Sequence, residues 1–357
     1  MIDRVSSPEI CSSRDRSIES LKTPAVLAGV LFEGQLFPDH SPIRKNLHGV
    51  ETPEVISMSL FTDSQGRQRD DRFIRINVDG YGHGIRETLS TNNDAELTLV
   101  HFPGFTEKIE NGSAKLMHDS LVNNLPHARI ISIASDGVGA TAERLTCKNA
   151  LDHGITEMAE RRRQLVYALV GDAPVIISGT SMGSVIGWKM LDFDAREGHL
   201  LNAYPIGYAS ANVSPEFTIP LMGVLFPISM AADMPREIIR LALRRPDNLS
   251  ELITQTQDRK PDAIPLIVQA ASLLGGTATK VLHRVNDAYG GGATISGVFD
   301  PLSQFAKWKQ VKRKGTELHI IPVARRGHGM AADGTGGGEK IANVIIRNEI
   351  DKKLLTI

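Results

Sequence analysis

Apolar and polar positions change rhythm twice along the chain. Residues 55–62 (VISMSLFT) and 72–78 (RFIRINV) are short β-rich runs, and Asp63-Ser64-Gln65-Gly66 between them carries turn chemistry, so together they predict an antiparallel hairpin. From about residue 95 onward, apolar runs alternate with amphipathic segments, the pattern of a parallel sheet covered by helices. Strands are expected at 97–101 (LTLVH), 128–133 (ARIISI), 175–178 (VIIS), 293–298 and 317–323, with a weaker one at 202–208 because of Pro205. Helices are expected at 113–125, with Ser113 as N-cap and Met117, Leu121 and Leu125 on one face, and through Ile155, Met158, Leu165, Val166 and Leu169. Others fit 183–191, the region near 302–310, and 339–352.

Between residues 210 and 292 the alternation lapses. Helix-like pieces rich in Met, Leu, Ile and Pro take over, one opened by Asp233 and Pro235 (REIIRLALRR) and one at 261–274. So long a stretch is not a structureless loop. The organisation predicted is a flexible N-terminal tail (1–24), an α/β core (25–209 and 293–357), and a helical cap (210–292) inserted after the sixth strand. The core is a mostly parallel central sheet with helices on both faces.

Bulk composition narrows partners more than it names them. Hydrophobic content of 41% and charged content of 23% suit a soluble globular chain, and a formal net charge of -1 gives no electrostatic reason to expect nucleic acid or an anionic membrane as partner. The apolar stretch PAVLAGVLF near the N-terminus is too short for a membrane span. The two cysteines, Cys11 and Cys147, argue against a disulfide framework or a cysteine zinc site and fit a reducing compartment, so a cytoplasmic location is expected. No histidine and carboxylate cluster has metal-ligand spacing, and no cofactor is called for.

The segment 175–187 (VIISGTSMGSVIG) concentrates the chemistry. Gly-Thr-Ser-Met opens like the serine box of subtilisin-like proteases, and Gly179-Thr180-Ser181-Met182-Gly183 is also a G-x-S-x-G turn between strand and helix. Either way Ser181 is the nucleophile. The subtilisin pattern requires a proline after the box and upstream Asp and His boxes, which this chain lacks. The strand-turn-helix pattern requires a buried strand before the serine, small flanks at the strained turn, and a helix after it; VIIS, Gly179, Gly183 and Gly187 meet those demands.

A serine hydroxyl needs a base, and the base needs an orienting acid. In this arrangement the chain order is serine, acid, histidine. Of His199, His283, His319 and His328 downstream, His328 lies in a glycine-flanked loop (ARRGHGMA) just after the last strand, where it can reach over the sheet edge. Asp300 (GVFDPL) directly follows the preceding strand and is the expected acid; it could also cap a helix starting at Pro301, and Glu216 is the alternative acid. The oxyanion donors expected are the amide of Met182 and, from the loop HFPGFT, the amide of Phe105, with Thr106 beside it.

These pieces resemble the α/β-hydrolase superfamily, in its serine esterase, lipase and peptidase branch with a cap domain. HFPGF resembles the family's His-Gly oxyanion loop with Phe102-Pro103 inserted, and SDGVGAT (135–141) is similar to its Asp-x-x-Gly-x-Gly-x-Ser loop. GTSMG, GVFDPL and RRGHG complete a series that runs in order over residues 97–353. The resemblance implies an α/β-hydrolase fold and acyl transfer through Ser181, His328 and Asp300. It also argues against epoxide hydrolase or dehalogenase chemistry, which in this superfamily uses an aspartate nucleophile. The expected substrate is a small-molecule carboxylic ester with an apolar acyl or alcohol group. A peptide, a thioester, or transfer to an acceptor other than water are the alternatives, with a non-catalytic binding protein on the same fold as a further class.

Other patterns read as structural. Residues 334–340 (GTGGGEK) resemble a phosphate loop but carry Glu339 where a glycine belongs, so a flexible connection to the last helix is expected. The basic run 307–314 reads as a solvated helix end, and Met222, Phe226, Met230 and Met234 as the interior of the cap.

Overall fold

The computed structural model describes residues 49–63, 65–90, 97–104, 107–139, 155–198, 201–210, 233–257, 278–300 and 318–350. The expected tail at 1–24, the helices expected at 261–274 and 302–310, the basic run 307–314, Met222, Phe226, Met230, Cys11, Cys147, His199, Glu216, Phe105 and Thr106 lie outside these residues.

Among the described residues nine strands form one sheet: β1 (Glu54–Thr62), β2 (Gln68–Val78), β3 (Tyr81–Ser90), β4 (Leu97–Phe102), β5 (Ala128–Ile133), β6 (Val175–Thr180), β7 (Ala203–Tyr208), β8 (Gly292–Gly297) and β9 (Leu318–Val323). Their order is β1-β2-β3-β5-β4-β6-β7-β8-β9. The first three strands form an antiparallel meander, β3 joins β5 antiparallel, and every pair from β5 to β9 is parallel. The helices are α1 (Gly112–Asn124), α2 (Ile155–Val170), α3 (Met182–Glu197), α4 (233–244), α5 (Pro246–Gln257), α6 (Ala278–Tyr289) and α7 (Gly334–Ile350). The mixed α/β class with a mostly parallel sheet is the one expected.

Neighbouring residues of the central strands feed opposite cores, which is why these strands read as continuous apolar runs. Val100, Ile131 and Ile177 join Leu165 and Val166 of α2, Ile186 of α3, and Val281 and Val285 of α6. Leu99, Ile130 and Ile176, one position earlier, join Met117 and Leu121 of α1 and Ile341 and Ile345 of α7. Helices therefore cover both faces. Among the described residues no helix is long and apolar enough to cross a membrane.

Three details depart from the sequence reading. Strand β3 (YGHGIRETLS) was not read as a strand, because two glycines and a run of charge hide it. Its charges are paired inside the protein: Arg86 Nε donates to Asp71 Oδ1 at 3.0 Å, and Arg129 Nε donates to Glu87 Oε1 at 2.7 Å. With β3 counted, the strand before residue 210 is the seventh. Second, α1 starts at Gly112, with Asn111 in the cap position, and Ser113 does not cap it; its hydroxyl donates to Glu107 Oε1 at 2.7 Å.

Third, residues 334–338 are helix, not a flexible connection. A Cβ on Gly334 would run into the Ser113 carbonyl, and one on Gly338 would come within 2.6 Å of Ser120 Cβ. The glycines let α7 lie directly on α1.

Candidate active site

The parallel strands all end at one edge of the sheet, where three loops meet. Ser181 sits between β6 and α3 with φ 50° and ψ −116°, a conformation that costs a non-glycine residue about 1–3 kcal/mol. The surroundings enforce it. The Ser181 N–H donates to the Tyr208 carbonyl at 2.9 Å, and the Ser184 hydroxyl donates to the Ser181 carbonyl at 2.7 Å. A Cβ on Gly179 would run into the Gly183–Ser184 backbone, and one on Gly183 into the carbonyls of Phe102 and Pro103. Both small flanks are thus required by backbone packing rather than by the bend alone.

His328 opens a 3-10 turn (His328–Ala332) after β9, and Asp300 follows β8, its N–H donating to the Gly297 carbonyl at 3.1 Å. His328 Nδ1 lies 2.9 Å from Asp300 Oδ2, and His328 Nε2 lies 2.8 Å from Ser181 Oγ. A carboxylate only accepts, so Nδ1 carries the ring proton and Nε2 presents its lone pair to the serine hydroxyl. All three side chains are buried. Burial pushes the imidazole pKa down, but Asp300 outweighs it by charge and hydrogen bond, with Asp233 and Glu107 adding to it, so the net shift is upward.

Among the described residues, then, the fold brings Ser181, Asp300 and His328 together in the expected order. His319 is exposed on β9 and His283 is half-buried on α6. Met182, the first residue of α3, has its N–H at the positive end of that helix, where intrahelical acceptors are missing.

The loop after β4 lies across the start of α3, as the crowding of Gly183 against Phe102 and Pro103 requires. Within it the Gly104 N–H donates to Glu107 Oε2 at 2.6 Å. His101, part of the HFPGF motif, faces inward instead: Nδ1 is 2.9 Å from Ser178 Oγ and Nε2 is 3.4 Å from Thr180 Oγ1. Burial pushes its pKa down to about 3, so it is a neutral strut between β4 and β6. Asp136 of SDGVGAT is likewise structural, buried and 2.6 Å from Arg162 Nη2 on α2.

Sequence reasoning missed Tyr208, Asp233 and Glu107. Tyr208 accepts the Ser181 N–H through its carbonyl and donates its hydroxyl to the Met330 carbonyl at 3.0 Å, so one buried residue ties the serine turn to the histidine loop. Burial first, and then the Asp333 charge, push its pKa up, keeping the hydroxyl a donor. None of the three carries a local motif; Tyr208 and Asp233 act through contacts distant in sequence, and Glu107 through its charge on the distant His328. No group of three or more His, Cys, Asp or Glu that could hold a metal occurs among the described residues.

No protein-family model and no curated sequence matches the chain. Solved structures do, over nearly their whole length. An epoxide hydrolase from Vigna radiata is similar with a TM-score of 0.54 at 13% identity, covering 79% of this chain and 98% of its own. The thioesterase domain of the curacin biosynthetic pathway is similar with a TM-score of 0.53 at 14% identity, covering 82% and 99%. A thermophilic esterase from Thermogutta terrifontis is similar with a TM-score of 0.51 at 16% identity, covering 83% and 99%. At these identities the likeness is one of fold.

Proposed function

We propose that this chain, whose fold is that of the α/β-hydrolases, is a serine hydrolase that cleaves a carboxylic ester with an apolar acyl or alcohol group. One observation carries the reading: Ser181, held in a strained turn at a helix start, is 2.8 Å from an imidazole nitrogen whose ring partner nitrogen is 2.9 Å from a buried carboxylate. A structural serine has no use for that relay.

The mechanism follows from the atoms. Nε2 of His328 takes the hydroxyl proton as Ser181 Oγ attacks the acyl carbon, and Asp300 stabilises the imidazolium and keeps its tautomer. The oxyanion that forms is held by the Met182 amide and by an amide of the loop after β4. Gly104 spends its N–H on Glu107, which supports Phe105 as the second donor. The imidazolium then protonates the departing alcohol, leaving an acyl-enzyme. Water, deprotonated by the same imidazole, releases the acid and restores Ser181.

Apolar surface supports the substrate class. Val298 and Phe299, next to Asp300, are exposed, and the Met234 sulfur lies against Gly329 in the histidine loop. Helices α4 and α5, within the stretch expected as the insertion, support a cap at this edge: Glu251 of α5 accepts the Gly112 N–H at 3.0 Å, and Arg245 between them reaches Glu339 of α7 at 2.7 Å. Helix α6, also within that stretch, instead packs Val281 and Val285 into the core.

A fluorophosphonate probe tests the reading. Labelling of the folded wild type that vanishes in Ser181→Ala supports it, and an unlabelled folded wild type refutes it. Aryl esters of rising acyl length, run beside acyl thioesters and aminoacyl amides, then test the ester assignment.

A further inference from the structure

The histidine loop is held from the end of β8, where the Phe299 N–H donates to the Arg326 carbonyl at 3.1 Å, and also from outside the central sheet. On α4, Asp233, Glu237 and Arg240 stand at i, i+4 and i+7 and so share one face. Asp233 Oδ2 accepts the Gly329 N–H at 2.5 Å, Glu237 Oε1 accepts from Arg326 Nη2 at 2.8 Å, and Arg240 pairs with both Glu237 and Asp333. The partners Arg326, Gly329 and Asp333 bracket His328 on both sides. The loop backbone lies directly on the Asp233 carboxylate: a Cβ on Gly327 would come within 2.8 Å of Oδ2.

Resting on the assignment of His328 as general base, we propose that Asp233 is a positioning residue for it, gripping the Gly327–Gly329 backbone from α4 while Asp300 grips the ring. Two carboxylates, supplied by the core and by the insertion, then fix where Nε2 points. Asp233 also adds negative charge beside the ring. Among the described residues, Asp300 after β8, Asp233 on α4 and Glu107 before α1 act on His328, and all three favour the imidazolium over the neutral ring. The sign follows. The base is lost to protonation as pH falls through a value above the ordinary 6.5, and removing one carboxylate moves that loss to lower pH.

The test uses the full chain as wild type, Asp233→Asn and Asp233→Ala. The amide of the first keeps an acceptor for the Gly329 N–H and removes the charge; the second removes both. Ring titration of His328 is followed by NMR, and kcat and KM for an activated aryl ester are measured against pH. In Asp233→Asn the ring is expected to titrate at lower pH than in wild type, with the acidic limb of kcat/KM moving the same way. In Asp233→Ala kcat falls by roughly 10-fold to 100-fold, as a misaligned base does, with KM little changed. A ring titration and a kcat that both variants leave at wild-type values overturn the proposal. The NMR titration needs no turnover, so a wild type inert toward every ester refutes the ester assignment, and one unlabelled by the fluorophosphonate refutes the hydrolase reading, while Asp233 is still judged on the ring.

Discussion

The serine turn and the histidine loop meet at one hydrogen bond, yet they are held in different ways. The serine turn is held by main chain: Gly179 and Gly183 pack against backbone atoms, and the Ser181 N–H reaches the Tyr208 carbonyl. The histidine loop has main-chain ties as well, with the Phe299 N–H on the Arg326 carbonyl at 3.1 Å and Gly297 packed on the Arg326–Gly327 backbone. It adds side chains from elsewhere, Asp300 on the ring and Asp233, Glu237 and Arg240 on the flanking backbone and charges. Backbone packing leaves almost no slack, since interiors are close-packed and discretely arranged. The three ties from α4 can be released together when that helix moves, whereas Asp300 and the main-chain ties to the β8 side stay. The base thus carries a set of restraints from the insertion that the nucleophile does not.

The largest effect is expected on the side-chain half. Asp300→Asn replaces an acceptor-only carboxylate with a neutral amide that can donate to Nδ1, so the His328 tautomer is no longer fixed, and kcat for an aryl ester should fall by about 10⁴-fold with the fold intact by circular dichroism. A loss below 10-fold would mean that the ring is held without Asp300. On the main-chain half, Gly183→Ala drives a methyl into the Phe102 and Pro103 carbonyls. It should cost about 3 kcal/mol of stability, read as a lower urea midpoint at unchanged slope. A wild-type midpoint would show that the loop after β4 yields easily. Tyr208→Phe removes the hydroxyl that ties the two halves and leaves the Met330 carbonyl with only the Asp333 N–H. About 1 kcal/mol of stability should be lost, and probe labelling of Ser181 should slow only modestly.

The same contrast explains what could be read from the sequence. The serine turn obeys local rules, so VIIS, Gly179, Ser181, Gly183 and the following helix were legible in one short stretch. Asp300 and His328 were legible by position, each directly after a strand whose apolar run was clear. Asp233 and Tyr208 were not, because their partners are distant in sequence and no spacing rule links them, and Glu107 was not, because its nearby partners Gly104 and Ser113 give no sign of its charge on the distant His328. Strand β3 was hidden for a related reason: Arg86 and Glu87 look solvent-facing until Asp71 and Arg129 are placed opposite. The glycines of 334–338 were read as looseness when they mark contact, a distinction that needs the Ser113 and Ser120 side of α1.

That helix contact has a consequence for anyone who would engineer this protein. Replacing helical glycines with alanine is a standard route to heat tolerance, because alanine gives up less chain freedom on folding. In α7 the recipe inverts. At Gly334 the added methyl meets a main-chain carbonyl that cannot swing aside, and at Gly337 it meets the tip of Met117, which can, and the buried Tyr208 ring at 2.9 Å, which is held by its hydroxyl. The apparent weakness of this glycine-rich helix is therefore a tolerance, in the machinist's sense, and Gly334 is where it is tightest.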